Sequence, residues 1–200
     1  MADTLDIVTL AEGRAAVNLH ASDTSQDTEV AAYITAVSRR IDALAGPVVV
    51  RTITAETHDG GTDRIELAYY PVSSITTLTE YVATTGTVLT AEVVGSATAA
   101  TNYVVDTRQG IITRRSGGYD WTFPVGRDRV VVTYVAGRAA NTTAVDPLFK
   151  TAANVMLAHN WRREAGSEPI TAYQRSHGLA IPRVVRELLS DVGWRRPMVA

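Results

Sequence analysis

Val30, Ile34, Val37, Ile41 and Leu44 recur at intervals of 4-3-4-3, a spacing that lays one narrow apolar stripe along a helix. Gly46 then stands where a C-cap glycine belongs, and Pro47 stops any continuation. A one-faced helix closed this abruptly must find its partner surface elsewhere in the chain. Before it, Thr9-Leu-Ala-Glu12 has the spacing of a capping box, which predicts a short helix to about Leu19. After a polar linker, Asp27 or Ser25 is expected to cap the long helix. Residues 1–46 therefore predict a helical hairpin.

From Val48 the texture changes to Thr, Val, Ile and Tyr, with turn signals at Asp59-Gly-Gly61, Thr85-Gly86, Gln109-Gly110 and Gly117-Gly118. Arg64-Ile-Glu-Leu-Ala-Tyr alternates like a half-buried strand, and Val130–Val135 is apolar enough for an interior one. About six antiparallel strands are expected over 47–145, with 84–102 a long decorated hairpin. Helix returns at Asp146-Pro147, an N-cap followed by a first-turn proline, and runs to about Glu164. Its apolar residues, from Leu148 and Phe149 through Val155, Met156 and Leu157 to Trp161, cover most of the circumference. Such a helix needs more than one partner, and a neighbouring subunit is the second one expected. Polar 166–180 leads to a last helix from Ile181-Pro182, ended by Gly193. The fold class expected is α+β: a helical bundle built from N- and C-terminal helices, 1–46 and 146–200, with an inserted antiparallel β-region, 47–145.

A hydrophobic fraction of 46% with 20% charged residues suits a folded chain. With no cysteine there are no disulfides, no thiolate nucleophile and no Cys-based zinc site. No apolar run approaches the length of a membrane span, and no signal-peptide order opens the chain, so a soluble protein made in the cytoplasm is expected. His20, His58, His159 and His177 show no metal-ligand spacing. Asp59-Gly-Gly-Thr-Asp63 lacks the closing Glu of a calcium loop, Tyr70 taking its place, and a hairpin turn is expected instead. Nucleophile elbows and phosphate-binding glycine loops are also missing. These features predict no enzyme, no cofactor and no metal. Arg39-Arg40, Arg114-Arg115, Arg162-Arg163 and Arg195-Arg196 predict solvated faces and helix-end charges. The net charge of −2 is uneven: residues 1–46 carry seven acids and three bases, 150–200 four acids and eight bases. An acidic head and a basic tail suit head-to-tail stacking of like subunits.

Ser38-Arg-Arg-Ile-Asp-Ala-Leu-Ala-Gly46 is followed by Tyr70-Pro-Val-Ser-Ser-Ile-Thr-Thr-Leu-Thr-Glu-Tyr81, Val105-Asp-Thr-Arg-Gln-Gly-Ile-Ile and Val132-Thr-Tyr-Val-Ala-Gly137. The helix Leu148–Arg163 and Ile181-Pro182 complete the order. This order resembles the head-to-tail connector (adaptor) proteins of long-tailed bacteriophages over nearly the whole chain, with 84–102 and 166–180 matched poorly. The resemblance implies a structural virion protein, a ring usually of twelve subunits between the portal and the next neck or tail component. Its partners would be copies of itself, the portal, that downstream protein and, non-specifically, the double-stranded DNA of the exit channel, with no membrane. It would sit at the portal vertex of a virion assembled in the bacterial host cytoplasm. Expected subunit-interface residues are Leu148, Phe149, Met156, Leu157 and Trp161 on one patch and Val30 and Ile34 on the other. Expected portal-docking residues are Val184, Val185, Leu188, Leu189, Trp194, Arg195 and Arg196. The alternatives are a neck stopper or tail terminator, and a β-sandwich module for sugar or protein in which Trp121 and Phe123, set beside Gly117-Gly118 and Tyr119, form the sugar-stacking surface.

Overall fold

A computed structural model describes residues 3–20, 22–93, 101–165 and 181–190, a mixed α+β arrangement of four helices and two sheets. The chain divides into two compact units, residues 1–50 with 138–200 and residues 51–137.

The first unit holds α1 (Leu10–Ala16), α2 (Asp27–Ala45), a 3-10 turn (Thr142–Ala144), α3 (Pro147–Ala165) and α4 (Arg183–Ser190). The capping box forms as expected: Glu12 N donates to Thr9 Oγ1 at 3.2 Å, and Thr9 N donates to Glu12 Oε2 at 2.7 Å. The helix stops short of Leu19 because Asn18 is left-handed at φ 60°. Neither Asp27 nor Ser25 caps α2: Asp27 is its first residue, and Ser25 N and Oγ both donate to Asp23 Oδ1. The whole Val30–Leu44 stripe is buried, and Gly46 at φ 80° turns the chain out.

One core joins this stripe to Ile7, Val8, Val48 and Val49, to Phe149, Ala152, Met156 and Leu157, and to Val185 and Leu189. Both ends of the chain therefore share one core, but the expected regular bundle does not describe it in detail. Two helices of 19 residues are joined by one of seven and one of eight, and extended segments complete the packing. Gly13 permits the close approach of α1, since a Cβ there would lie 2.5 Å from Ile34 Cδ1 and 3.2 Å from Leu157 Cδ2.

The second unit has nine strands among the described residues, against the six expected. They are β1 (Arg51–His58), β2 (Arg64–Glu66), β3 (Val72–Val82), β4 (Thr85–Val88), β5 (Thr90–Ala91), β6 (Asn102–Asp106), β7 (Ile111–Ser116), β8 (Tyr119–Asp120) and β9 (Val130–Ala136). One sheet runs β1-β9-β3-β4 and is antiparallel; the other runs β2-β7-β6-β5 with β8 also on β7, and its β5–β6 pair is parallel. β9 is interior, as its valines predict, and buries Val130, Val132, Tyr134 and Ala136 on one face. Those side chains meet Ile65, Tyr103 and Ile112 of the other sheet in one core with Leu78 and Phe123.

Two turn expectations are corrected. Asp59–Asp63 does not close a hairpin, because β1 and β2 belong to different sheets. Thr85 and Gly86 lie within β4, and the turn falls two residues earlier at Ala83 (φ 53°). Of the expected long hairpin, β4 stays on β3 whereas β5 crosses to β6; residues 94–100 lie outside the described residues. The β6–β7 hairpin is as expected: Asp106 Oδ1 accepts from Arg108 N and Gln109 N, and Gly110 takes φ 69°.

Candidate assembly surfaces

In the helical unit, Val30, Ile34, Met156 and Leu157 have no exposed surface, and Phe149 and Trp161 have almost none. Trp161 packs edge-on against Tyr33, with ring centroids 5.6 Å apart. Leu148 and Val155 are half-buried against the same core. The all-round apolarity of α3 is thus met inside one chain, because the α1–α2 and α4 segments both pack on it. A second partner was the right requirement, and the chain's own termini supply it. Side chains without exposed area in the single chain offer none to a neighbour.

The expected portal-docking residues divide. Val185 and Leu189 are buried in the core, Leu188 is half-buried, and Val184 is 52% exposed. Trp194, Arg195 and Arg196 lie outside the described residues. Among the described residues the acidic head and the basic C-terminal part touch at one point, where Lys150 Nζ bonds Glu12 Oε1 at 2.8 Å. Burial alone would raise the Glu12 carboxyl, but hydrogen bonds from Lys150 and Thr9 outweigh it and hold it below its ordinary value.

In the β-unit the Arg114-Arg115 pair is not a solvated face. Arg114 is buried and forks onto Glu80 of the opposite sheet, Nε to Oε2 and Nη2 to Oε1, both at 2.9 Å. Arg115 pairs with Glu92 at 3.2 Å and with Asp120. Beyond Glu80, the end of β3 borders a groove of about 490 Å³ lined by Val82, Trp121, Phe123, Pro124, Val125 and Arg129. Phe123 belongs to the core, so it is no stacking platform for a sugar. Trp121 and Tyr119 are exposed, and these two, not Phe123, are the accessible aromatics of that segment.

The structure also assembles a cluster that the sequence reasoning missed. Tyr134 Oη donates to Glu56 Oε2 at 2.6 Å, and His58 Nε2 lies 2.9 Å from Glu56 Oε1. Burial, helped by the Glu56 bond, pushes the Tyr134 phenol well above its ordinary pKa, so it stays a donor. The same groups hold the backbone: Ala68 N donates to Glu56 Oε1 at 2.9 Å and Tyr69 N to Tyr134 Oη at 3.1 Å. The i, i+2 spacing of Glu56 and His58 on one strand was the available signal. Glu56 and Tyr134 are thereby occupied in fixing the segment that follows β2. No group of three or more metal-ligating side chains occurs among the described residues, and no helix among them is long and apolar enough to cross a membrane.

No family model matches the sequence, and no curated relative matches it at a significant level. The fold is nevertheless shared with chains of phage-like particles. A chain in the neck of an empty gene transfer agent (GTA) particle computed with C6 symmetry matches with TM-score 0.64 and 20% identity, over 95% of this chain and 91% of that one. A chain of the virion of a native GTA particle matches with TM-score 0.56 and 18% identity, over 97% and 92%. At these identities the likeness is one of fold.

Proposed function

We propose that this protein is a structural neck subunit of a phage-like virion, acting by contact and not by catalysis. Copies would close into a ring between the portal and the next neck or tail component, around the channel through which DNA leaves. The observation that carries this reading is the shared fold with a GTA neck chain, which extends over nearly the full length of both chains. The motif order of the connector proteins agrees with it independently. The exposed face of α4 at Val184, with the half-buried Leu188 beside it, is the part of the expected docking helix left accessible for the portal. Quantitative mass spectrometry of purified particles tests the reading. The protein should be present at the copy number of one ring, on the order of a dozen, far below that of a capsid protein. Particles that are complete without it refute the proposal.

A further inference from the structure

The groove of the β-unit has properties that its own chain does not satisfy. Val82 is 62% exposed, Trp121 58% and Val125 84%, a concentration of accessible apolar area on one small surface. Arg129 borders it with Nη1 bound only to the carbonyl of Ala83, at 3.1 Å, and no carboxylate among the described residues pairs with its guanidinium. A partner suited to this surface brings an apolar side chain with an acid close beside it.

Beside several exposed apolar residues among the described ones, the carboxylate adjoining in sequence is already engaged. Asp120 next to Tyr119 and Glu92 next to Val93 are held by Arg115, and Glu187 near Val184 by Arg183. Asp106, near Val104, is occupied by the β6–β7 turn. Tyr69 differs: it is 44% exposed, and Glu66, three residues earlier at the end of edge strand β2, is exposed and in no ion pair among the described residues.

We propose that Glu66 and Tyr69 of one copy enter the groove of the next, Glu66 meeting Arg129 and Tyr69 packing beside Trp121 and Val125. The segment is preorganised for this. Leu67 is buried with its N donating to Gly110 O at 2.8 Å, and Ala68 and Tyr69 are tied to Glu56 and Tyr134, so little chain entropy is lost on docking. The two patches occupy different places along β7: Glu66 pairs with Ile111, whereas Trp121 N bonds Arg114 O. Contact between two unlike patches repeats head to tail and can close a ring. The inference rests on the ring reading and assigns its contact.

The chain has no cysteine, which makes the test direct. Tyr69→Cys and Val125→Cys are introduced together, and particles and concentrated protein are oxidised. A ladder of covalent multimers is expected, with neither single variant giving more than background. In parallel, Glu66→Arg and Arg129→Glu should each weaken assembly about tenfold or more in sedimentation, and the double swap should recover most of it. If wild-type rings form but no ladder appears, the contact is wrong while the ring reading stands. If the wild-type chain forms no ring even in particles, the ring reading falls and this inference with it. Cross-linking bypasses any loss of folding in the charge variants.

Discussion

Glu80→Leu tests whether the Arg114 fork holds the two sheets together. Both side chains are nearly inaccessible, 5% exposed for Arg114 and 10% for Glu80, and the guanidinium occupies both carboxylate oxygens at 2.9 Å. Removing the acid leaves a buried cation, which costs about 3–5 kcal/mol in comparable sites. For a chain of this size that lowers Tm by roughly 6–20 °C, at about 2–4 °C per kcal/mol. Removing both charges, as Glu80→Leu with Arg114→Met, leaves no stranded ion. Arg114 also donates to the carbonyls of Asn102 and Arg115, and losing those bonds costs about 1 kcal/mol each. The double variant should therefore be destabilised by only about 2 kcal/mol, less than the acid deletion alone. Urea and thermal unfolding of the wild type, both single variants and the double give the coupling energy directly. A double variant as unstable as the two singles summed would refute the reasoning, because the residues would then act independently.

Met156, fully buried on α3, gives a second prediction: Met156→Ala should lower stability by about 2–5 kcal/mol and leave assembly intact well below Tm. Unfolding and sedimentation measured on the same sample check it, and normal stability with failed assembly would return α3 to the interface. Val184→Asp should do the reverse, leaving Tm within about 1 °C while portal co-purification is lost; unchanged co-purification removes α4 from the docking surface. The depressed Glu12 carboxyl contributes stability that is present above its ordinary pKa of 4.5 and lost as pH falls through the lower folded value. Glu12 and Lys150 are partly exposed, so solvent screening keeps the effect below about 1 kcal/mol. Glu12→Gln should accordingly lower stability at pH 7 by up to that amount and change little near pH 3, flattening the acid limb of the curve, which urea titrations from pH 3 to 7 would show.

Local rules of chain chemistry recovered the elements whose causes are local. The Thr9–Glu12 box, the Gly46 stop and the Asp106–Gly110 hairpin each depend on residues within a few positions of one another, and each appears where expected. Some local features were still misplaced by a residue or two, such as the α2 cap and the turn at Ala83, but the larger errors arose where a distant partner decides. Nothing near Asp59 announces that the next strand joins the other sheet, and nothing near Arg114 announces Glu80, 34 residues earlier. A basic pair beside polar residues reads as solvated until the opposite sheet supplies a carboxylate.

The candidate surfaces failed to appear in the sequence for a related reason. Apolar periodicity reports that a side chain will be buried but not by what, so α3 pointed equally to a neighbouring subunit and to the chain's own α4. The inter-subunit assignment took the strongest burial signal for a contact between chains, whereas Met156 and Leu157 show that the strongest signal marks the monomer core. The contact proposed between copies instead uses residues that the single chain leaves incompletely satisfied: an exposed Trp121 and, among the described residues, an Arg129 without a carboxylate and a Glu66 without a cation. None of these is periodic, and each becomes conspicuous only when the partners of every neighbouring residue are known. A subunit that must stay folded alone and still recognise its copies is expected to divide its apolar residues in this way, with the regular stripes inside and the irregular remainder at the contact.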